Sequence, residues 1–316
     1  MSLDQPIIET RQLTKSYKDV RAVDSLDLTV FQGEVFGLVG PDGAGKTTTL
    51  RLLAGLLTIT EGEASVAGLD LKACSEAIKP QIGYMAQEFS LYGELTVMEN
   101  LRFFSELYDV PQSERQARTE RLLSFADLTR FVDRRGKLLS GGMKKKLALA
   151  CTLIHRPKIL LLDEPTTGVD PISRREFWDI LTELHLEGTT IVVSTPYMDE
   201  ADRCSRVGLM YEGKLFACDT PRAIRADITG ELVALKTDDW HRARSVLQDL
   251  EGVIEIQPHG DALHIRVDSA RKRTSRIRRT LRKKGVSYES IRPAPIRMEE
   301  AFLSLMTERE LDRAGS

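Results

Sequence analysis

Gly40-Pro-Asp-Gly-Ala-Gly-Lys-Thr47 decides the reading of this chain. The stretch fills every fixed position of the phosphate-loop pattern Gly-x4-Gly-Lys-Ser/Thr. Ahead of it, Val35-Phe-Gly-Leu-Val39 is a short apolar run, the mark of a buried parallel strand. Behind it, the segment from Thr48 to Leu57 carries Leu50, Leu53, Ala54 and Leu57 at helical spacing. Strand, glycine loop and helix is the order that phosphate binding requires. Glycines let the backbone approach an anion and adopt positive φ. Successive N–H groups then point inward, and the helix N-terminus adds partial positive charge. In this pattern Lys46 reaches the β- and γ-phosphates and the Thr47 hydroxyl takes Mg²⁺. Gly40, Pro41, Asp42, Gly43, Ala44, Gly45, Lys46, Thr47 and Thr48 are the candidate nucleotide-binding residues. An ordinary glycine turn with a chance lysine would leave the flanking strand and helix unexplained.

At 316 residues the chain has room for about two domains. A net charge of −2 with 29% charged residues describes a soluble chain without overall bias toward nucleic acid, which is not expected as a partner. Four cysteines, at positions 74, 151, 204 and 218, lack CxxC spacing, so neither a disulfide framework nor a zinc site is indicated and a reducing compartment fits. The longest nearly apolar run, Leu147 to Ile154, falls far short of the roughly 20 residues of a spanning helix. No basic-then-apolar leader is read at the start. Work at a membrane is therefore expected to go through a partner.

Outward from the loop, residues 5–35 read as extended. Leu26, Leu28 and Val30 alternate with Asp27 and Thr29, a half-buried strand pattern. Tyr17 is either a plain strand aromatic or a face on which a base stacks. Residues 61–87 hold Gly62, Gly68, Gly83 and short apolar pieces, again extended structure with turns. Gln87 follows a strand end there, and a glutamine alone means little. Residues 88–155 read as a helical subdomain with helices over Leu95 to Tyr108, Glu114 to Ala126 and Met143 to His155. Inside it, Leu139-Ser140-Gly141-Gly142-Met143 is either a second anion site, with free N–H groups, a hydroxyl and a helix dipole, or simply a helix end followed by a new N-cap. Next, Lys158 to Pro165 reads as a buried strand ending in Asp163 and Glu164. Two acids there are costly unless something cationic satisfies them. Asp163 can hold Mg²⁺ and Glu164 can polarise an attacking water. Gly168-Val-Asp170-Pro171 then turns into a helix starting near Ser173, and Thr189 to Ser194 is another apolar strand.

In order and spacing, the phosphate loop, Gln87, Ser140-Gly141-Gly142, Asp163-Glu164 and Asp170 resemble the ATP-binding subunit of an ABC transporter over roughly residues 5–222. The Ser-Gly-Gly signature is the most discriminating part. The resemblance implies an α/β phosphate-loop ATPase with a RecA-like core, an antiparallel β subdomain and a helical subdomain. It implies ATP and Mg²⁺ as ligands, and a head-to-tail dimer in which Ser140, Gly141 and Gly142 close on the partner's ATP. Tyr17 becomes the adenine stacker. Gln87 joins Thr47 and Asp163 as a Mg²⁺ contact, also meets the γ-phosphate, and links the site to a transmembrane permease. Glu164 becomes the general base or the group that orients the water, and Asp170 a cross-dimer contact. The implied location is the cytoplasmic face of the inner membrane.

One position departs from the family pattern. Where a switch histidine is usual, the chain reads Ser194-Thr195-Pro196-Tyr197-Met198-Asp199-Glu200-Ala201. Pro196 has neither imidazole nor N–H and cannot hydrogen-bond a γ-phosphate. By analogy with other lost transition-state donors, hydrolysis slows by about 10²- to 10³-fold, while binding survives. His185 lies before the strand and is not expected to substitute. Either a different ATP-binding domain pairs with this one and supplies a complete site, or a homodimer tolerates the change. Gly-Pro-Asp-Gly-Ala-Gly-Lys-Thr, Leu-Tyr-Gly-Glu-Leu-Thr-Val-Met-Glu-Asn and Val-Asp-Pro-Ile-Ser-Arg-Arg resemble the first of two tandem cassettes in bacterial multidrug exporters.

Residues 228–310 read as a separate α+β unit. Strands over Leu232 to Leu235, Val253 to Ile256, Leu263 to Val267 and Val286 to Ile291, with helices marked by Trp240, Ala243, Leu247, Leu250 and by Ile277, Leu281, give a ferredoxin-like β-α-β-β-α-β order. A last amphipathic helix carries Met298, Ala301, Phe302, Leu305 and Met306. This tail resembles the accessory domain of drug-exporter ATPases and is expected to regulate or brace a dimer. The basic run Arg271 to Lys284 is either a solvated helix face or a contact for anionic lipid or an acidic partner.

Three functions follow: an ATPase subunit powering an exporter with separate membrane-spanning chains, with multidrug efflux the expected task; a soluble ABC protein of translation or repair; and a non-hydrolytic nucleotide-binding regulator. The second class usually carries two cassettes or a long coiled coil, and neither is read here.

Overall fold

The computed structural model describes residues 5–88 and 91–314, with side chains to residue 307, and the chain divides after Pro221 into two compact units. Phe89 and Ser90, inside the expected helical subdomain, lie outside the described residues.

The first unit is built on two sheets. In the smaller one Val20–Phe31, Pro6–Tyr17, Glu61–Val66 and Leu69–Asp70 lie in that order, all antiparallel. Leu26, Leu28 and Val30 are buried and Asp27 is exposed, so the alternation in sequence is the alternation of faces. The larger sheet runs Lys214–Asp219, Arg206–Tyr211, Val35–Val39, Thr190–Thr195, Ile159–Asp163, Ile82–Met85. Its last five strands are parallel, with Lys214–Asp219 antiparallel at the edge. Val35–Val39, Thr190–Thr195 and Ile159–Asp163 are buried along their whole length, which is why they read as apolar runs.

Parallel strands bring their carboxyl ends to one edge. Val39 is in register with Thr195, Asp163 with Ser194, and Met85 with Leu162. The phosphate loop, Thr195-Pro196, Asp163-Glu164 and Gln87 therefore leave the sheet side by side, where open parallel sheets place their ligands.

Helix ends are decided by caps that periodicity does not see. The helix after the loop spans Lys46–Leu53, not Thr48 to Leu57. It stops early because Gly55 takes φ 68° just beyond the Ala54 cap. Leu57 packs against the core from beyond the helix. Helices Val97–Leu107 and Gln112–Phe125 follow, the first opened by a reciprocal cap between Thr96 and Glu99. Gly141–Leu153 and Pro171–Leu186 each begin two residues before the predicted starts at Met143 and Ser173, because Ser140 and Asp170 cap them.

In the second unit the strands lie in the order Val253–His259, Ala262–Val267, Glu231–Lys236, Ser290–Ala294, every neighbouring pair antiparallel. Helices Trp240–Leu247 and Ala270–Lys283 bring Ala243, Leu247, Ile277 and Leu281 onto Val233, Leu235, Leu263 and Ile265. The last strand, Ser290–Ala294, starts four residues after the predicted start of Val286 to Ile291 and overlaps it only at Ser290 and Ile291. The chain is still capping the preceding helix at that point: Val286 N donates to Leu281 O, Gly285 N donates to Arg282 O, and Gly285 takes φ 67°. Pro293, which has no N–H, sits in that edge strand. Met298–Ala314 is the final helix, with Met298, Ala301 and Phe302 buried but Leu305 and Met306 only partly so. In the basic helix, Arg273 pairs with Asp268 and Arg276 with Glu251, while Arg271, Lys272, Arg279 and Arg282 face solvent.

Candidate functional site

The loop needs its glycines for different reasons. A Cβ on Gly40 would stand 2.1 Å from the Met210 carbonyl oxygen, and one on Gly45, at φ 100°, would stand 2.3 Å from that of Ala22. Gly43 takes φ 79° in open space, so its requirement is conformational alone. Pro41 and Asp42 form the outer turn, and Ala44 is buried.

Lys46 is 3% exposed. Its Nζ donates to the carbonyls of Gly40 at 2.8 Å and Pro41 at 2.9 Å and lies 3.3 Å from Glu164 Oε1. A neighbouring residue, Thr47, donates from Oγ1 to Asp163 Oδ1 at 2.9 Å. Thr48 is half-buried on the same first turn. The loop's cation and its hydroxyl thus meet the two carboxylates that end the strand Ile159–Asp163. Asp163 is wholly buried and also accepts from Ser194 Oγ at 2.7 Å and Tyr84 OH at 3.4 Å. Glu164 is buried and holds φ 46°, a left-handed conformation that is strained for a non-glycine residue. Its N–H bonds Ser194 O and Oγ, and its Oε2 accepts from Gln87 Nε2 at 2.9 Å and from Thr167 Oγ1 at 3.3 Å. Lys145 adds a second cation: Nζ donates to Gln87 O at 2.8 Å. Burial lowers its pKa, and the charges of Asp163 and Glu164 oppose that shift. Arg51 bonds Tyr84, which raises the Arg51 pKa, while burial raises that of Tyr84.

Thr195 and Pro196 sit beside the loop, with Gly40 N donating to Thr195 O at 3.3 Å. Behind them lies a buried polar cluster. Glu200, 1% exposed, accepts from Thr195 Oγ1 at 2.6 Å, Thr166 Oγ1 at 2.7 Å, Arg174 Nε at 2.6 Å and Trp178 Nε1 at 3.0 Å. The Arg174 guanidinium also lies 4.3 Å from the Tyr197 ring centre. The segment around Pro196 is thereby pinned to the helix that Asp170 opens. His185 belongs to the last turn of that helix.

Ser140 caps its helix, with Oγ accepting from Met143 N at 3.2 Å. Gly141 and Gly142 are the first helical residues, and a Cβ on Gly142 would stand 2.6 Å from Ser173. Among the described residues no hydrogen bond or ion pair joins Ser140, Gly141 or Gly142 to the phosphate loop of the same chain. Asp170 Oδ1 accepts from Ile172 N at 3.1 Å and Ser173 N at 3.0 Å, bonds that lower its pKa. Tyr17 ends the first strand, 45% exposed, with Lys15 Nζ 5.2 Å from its ring centre.

Tyr84, Ser194, Lys145 and Glu200 were not predicted. Ser194 and Tyr84 reach Asp163 across neighbouring strands, and strand order cannot be read from one sequence. Glu200 follows Asp199 in a short helix, and nothing local marks it as the buried one of the two. A cavity of about 200 Å³, lined by Arg118, Leu122, Phe125, Leu153, Ile154 and Pro157 among others, involves none of the loop residues.

Residues 23–167 match the family model described as ABC transporter. The chain is 46% identical over 222 residues to YbhF of Escherichia coli, named as a probable multidrug ABC transporter ATP-binding protein, a match covering 70% of this chain and 38% of that protein's length. It is 34% identical over 312 residues to the daunorubicin resistance ATP-binding protein DrrA2 of Streptomyces coeruleorubidus, covering 97% of each. Among solved structures, a dimeric post-hydrolysis state of the ATP-binding cassette MJ0796 bound to ADP and Pi superposes with a TM-score of 0.62 at 28% identity, over 67% of this chain and 98% of that one. Among the described residues no helix is long and apolar enough to cross a membrane. With a phosphate loop, a paired-carboxylate strand end and full-length relatives of this kind, the chain belongs to the ATP-binding proteins of ABC transporters.

Proposed function

We propose that the chain binds Mg·ATP on residues 40–48 and hydrolyses it to drive an exporter whose membrane-spanning permease is made by other subunits, with multidrug efflux as the task. The observation that carries this is the meeting of Lys46 and Thr47 with Glu164 and Asp163 at one sheet edge. Lys46 is poised to exchange its carbonyl and carboxylate partners for phosphate oxygens. Thr47 and Asp163 bring two hard oxygen donors within 2.9 Å, a set that suits Mg²⁺, and Gln87 completes it. The ion supplies charge neutralisation at the phosphates. Glu164, held by Gln87 and Thr167, is oriented to take the proton of an attacking water. Tyr17 offers an exposed face for adenine.

In this reading Ser140, Gly141 and Gly142 act on ATP held by a partner domain, and among the described residues no hydrogen bond or ion pair ties them to the chain's own loop. Asp170 faces the same interface. The partner is a second, different cassette that supplies a complete site, in the manner of tandem-cassette exporters; a homodimer is the alternative. The four-stranded unit, with its β-α-β-β-α-β order, is a ferredoxin-like accessory domain that regulates or braces that pairing. The assembly works at the cytoplasmic face of the membrane. Pro196 favours a second reading, a nucleotide-binding subunit of weak turnover that regulates its partner.

Equilibrium binding of ATP with Mg²⁺ tests the first step. The purified chain should bind ATP, and Lys46→Ala should weaken binding about 100-fold through loss of a buried charge-assisted contact. Equal binding by both proteins would overturn the assignment.

A further inference from the structure

We propose that the second unit holds a transition-metal site, of the Zn²⁺ or Ni²⁺ class, formed by His259, His264 and Glu300. One donor atom of each lies within 4.8 Å of the others. The three come from separate elements: the end of the strand Val253–His259, the middle of Ala262–Val267, and the first turn of Met298–Ala314. A cavity of about 170 Å³ opens on all three and is lined also by Pro258, Glu299 and Leu303. Two imidazoles and one carboxylate are a donor set that borderline divalent metals take, with a further position left for water.

The group is partly built already. His264 is 8% exposed, and its Nδ1 stands 2.7 Å from Glu300 Oε1. Glu300 Oε2 accepts from Arg297 N at 2.8 Å, so the carboxylate is fixed by the turn that starts the helix. The His259 ring stacks on that of His264, centres 4.4 Å apart and planes at 18°. Donors around a tetrahedral ion with bonds of about 2.0–2.1 Å stand about 3.3 Å apart. His264 and Glu300 need only open slightly to that spacing. His259 must close by about 1.5 Å, a movement open to a half-buried side chain at a strand end, next to Gly260 at φ 57°. Arg297 Nη1 now lies 3.1 Å from His259 Nε2, and Glu299 Oε2 lies 3.9 Å from His259 Nδ1. The guanidinium thus holds one ring nitrogen of His259, and a metal bound at that nitrogen displaces it. Ligation would tie the final helix to the sheet by a bond from each.

The test uses the full chain without a histidine tag, stripped with chelator. Zn²⁺ is titrated by calorimetry and Co²⁺ by visible absorption, without nucleotide, so the outcome is independent of ATP turnover. The expected result is one ion per chain, with the d–d band of four-coordinate Co²⁺. His259→Ala lies at the exposed rim and should leave the fold intact while weakening binding by about 100-fold; Glu300→Gln should do the same. Absence of binding, or equal affinity in wild type and both variants, overturns the site.

Discussion

The phosphate-loop edge of the first unit and the basic helix of the second place their charges differently. At the phosphate-loop edge Lys46 and Glu164 meet with side chains 3% and 7% exposed, and Asp163 and Glu200 are fully enclosed. In the second unit Arg276 and Glu251 meet with side chains 36% and 70% exposed. Enclosed charges are expensive to assemble and expensive to break, whereas exposed pairs add little because water and salt screen them. The first unit therefore concentrates buried charge, each group paired or hydrogen-bonded, at and behind the phosphate-loop edge. The second unit's core is apolar, with Val233, Leu235, Leu263 and Ile277, and its enclosed polar pairs, His264 with Glu300 and Arg266 with Glu255, lie apart from its exposed ones.

The contrast breaks most visibly at Lys46. Lys46→Ala leaves Glu164 enclosed without its cation and should lower unfolding stability by about 3–5 kcal/mol. Arg276→Ala should leave the denaturation midpoint within experimental scatter. Urea unfolding of the two variants side by side checks both. A smaller effect belongs to packing. Gly142→Ala drives a Cβ into Ser173, and the neighbouring helix must shift, at about 1–3 kcal/mol. Thermal melts should show the loss, and Ser173→Gly in the same chain should restore part of it.

The smallest effect sharpens the view of the exposed pairs. Arg273 holds the Asp268 carboxyl at about 2, below its ordinary 3.8. A depressed acid stabilises the fold above its unfolded pKa, and that contribution is lost as pH falls toward the folded one. The stability gap between wild type and Asp268→Asn should therefore be constant near neutrality and narrow between about pH 4 and pH 2. A gap that widens over that range would contradict the pairing. Salt should shrink it as well, since the Asp268 side chain is 47% exposed.

Legibility in the sequence follows the same division. The loop could be read because its residues are contiguous and each position answers a backbone need, as at Gly40 and Gly45. Asp163-Glu164 could be read because charge after an apolar run is conspicuous. What surrounds them could not. Ser194 reaches Asp163 only because the strand Thr190–Thr195 lies between Val35–Val39 and Ile159–Asp163, an order no local pattern encodes. Lys145 looks like one of three surface lysines, yet it reaches Gln87. In the second unit, periodicity located the helices and three strands but misplaced the last strand. Val286 is apolar and buried, and only the backbone bonds of the helix cap show that it is not in the sheet.

Pro196 is where the account is most exposed. Thr195 and Gly40 are hydrogen-bonded, so a side chain at position 196 stands next to the loop, and the enclosed Glu200 cluster keeps that segment in place without help from residue 196. The direct measurement is steady-state ATP hydrolysis by the purified chain, by Pro196→His and by Glu164→Gln as the blank. The account predicts slow wild-type turnover, a rise of about 10²-fold in Pro196→His, and no turnover in Glu164→Gln. Brisk wild-type hydrolysis that Pro196→His does not increase, or activity that survives Glu164→Gln, would contradict it.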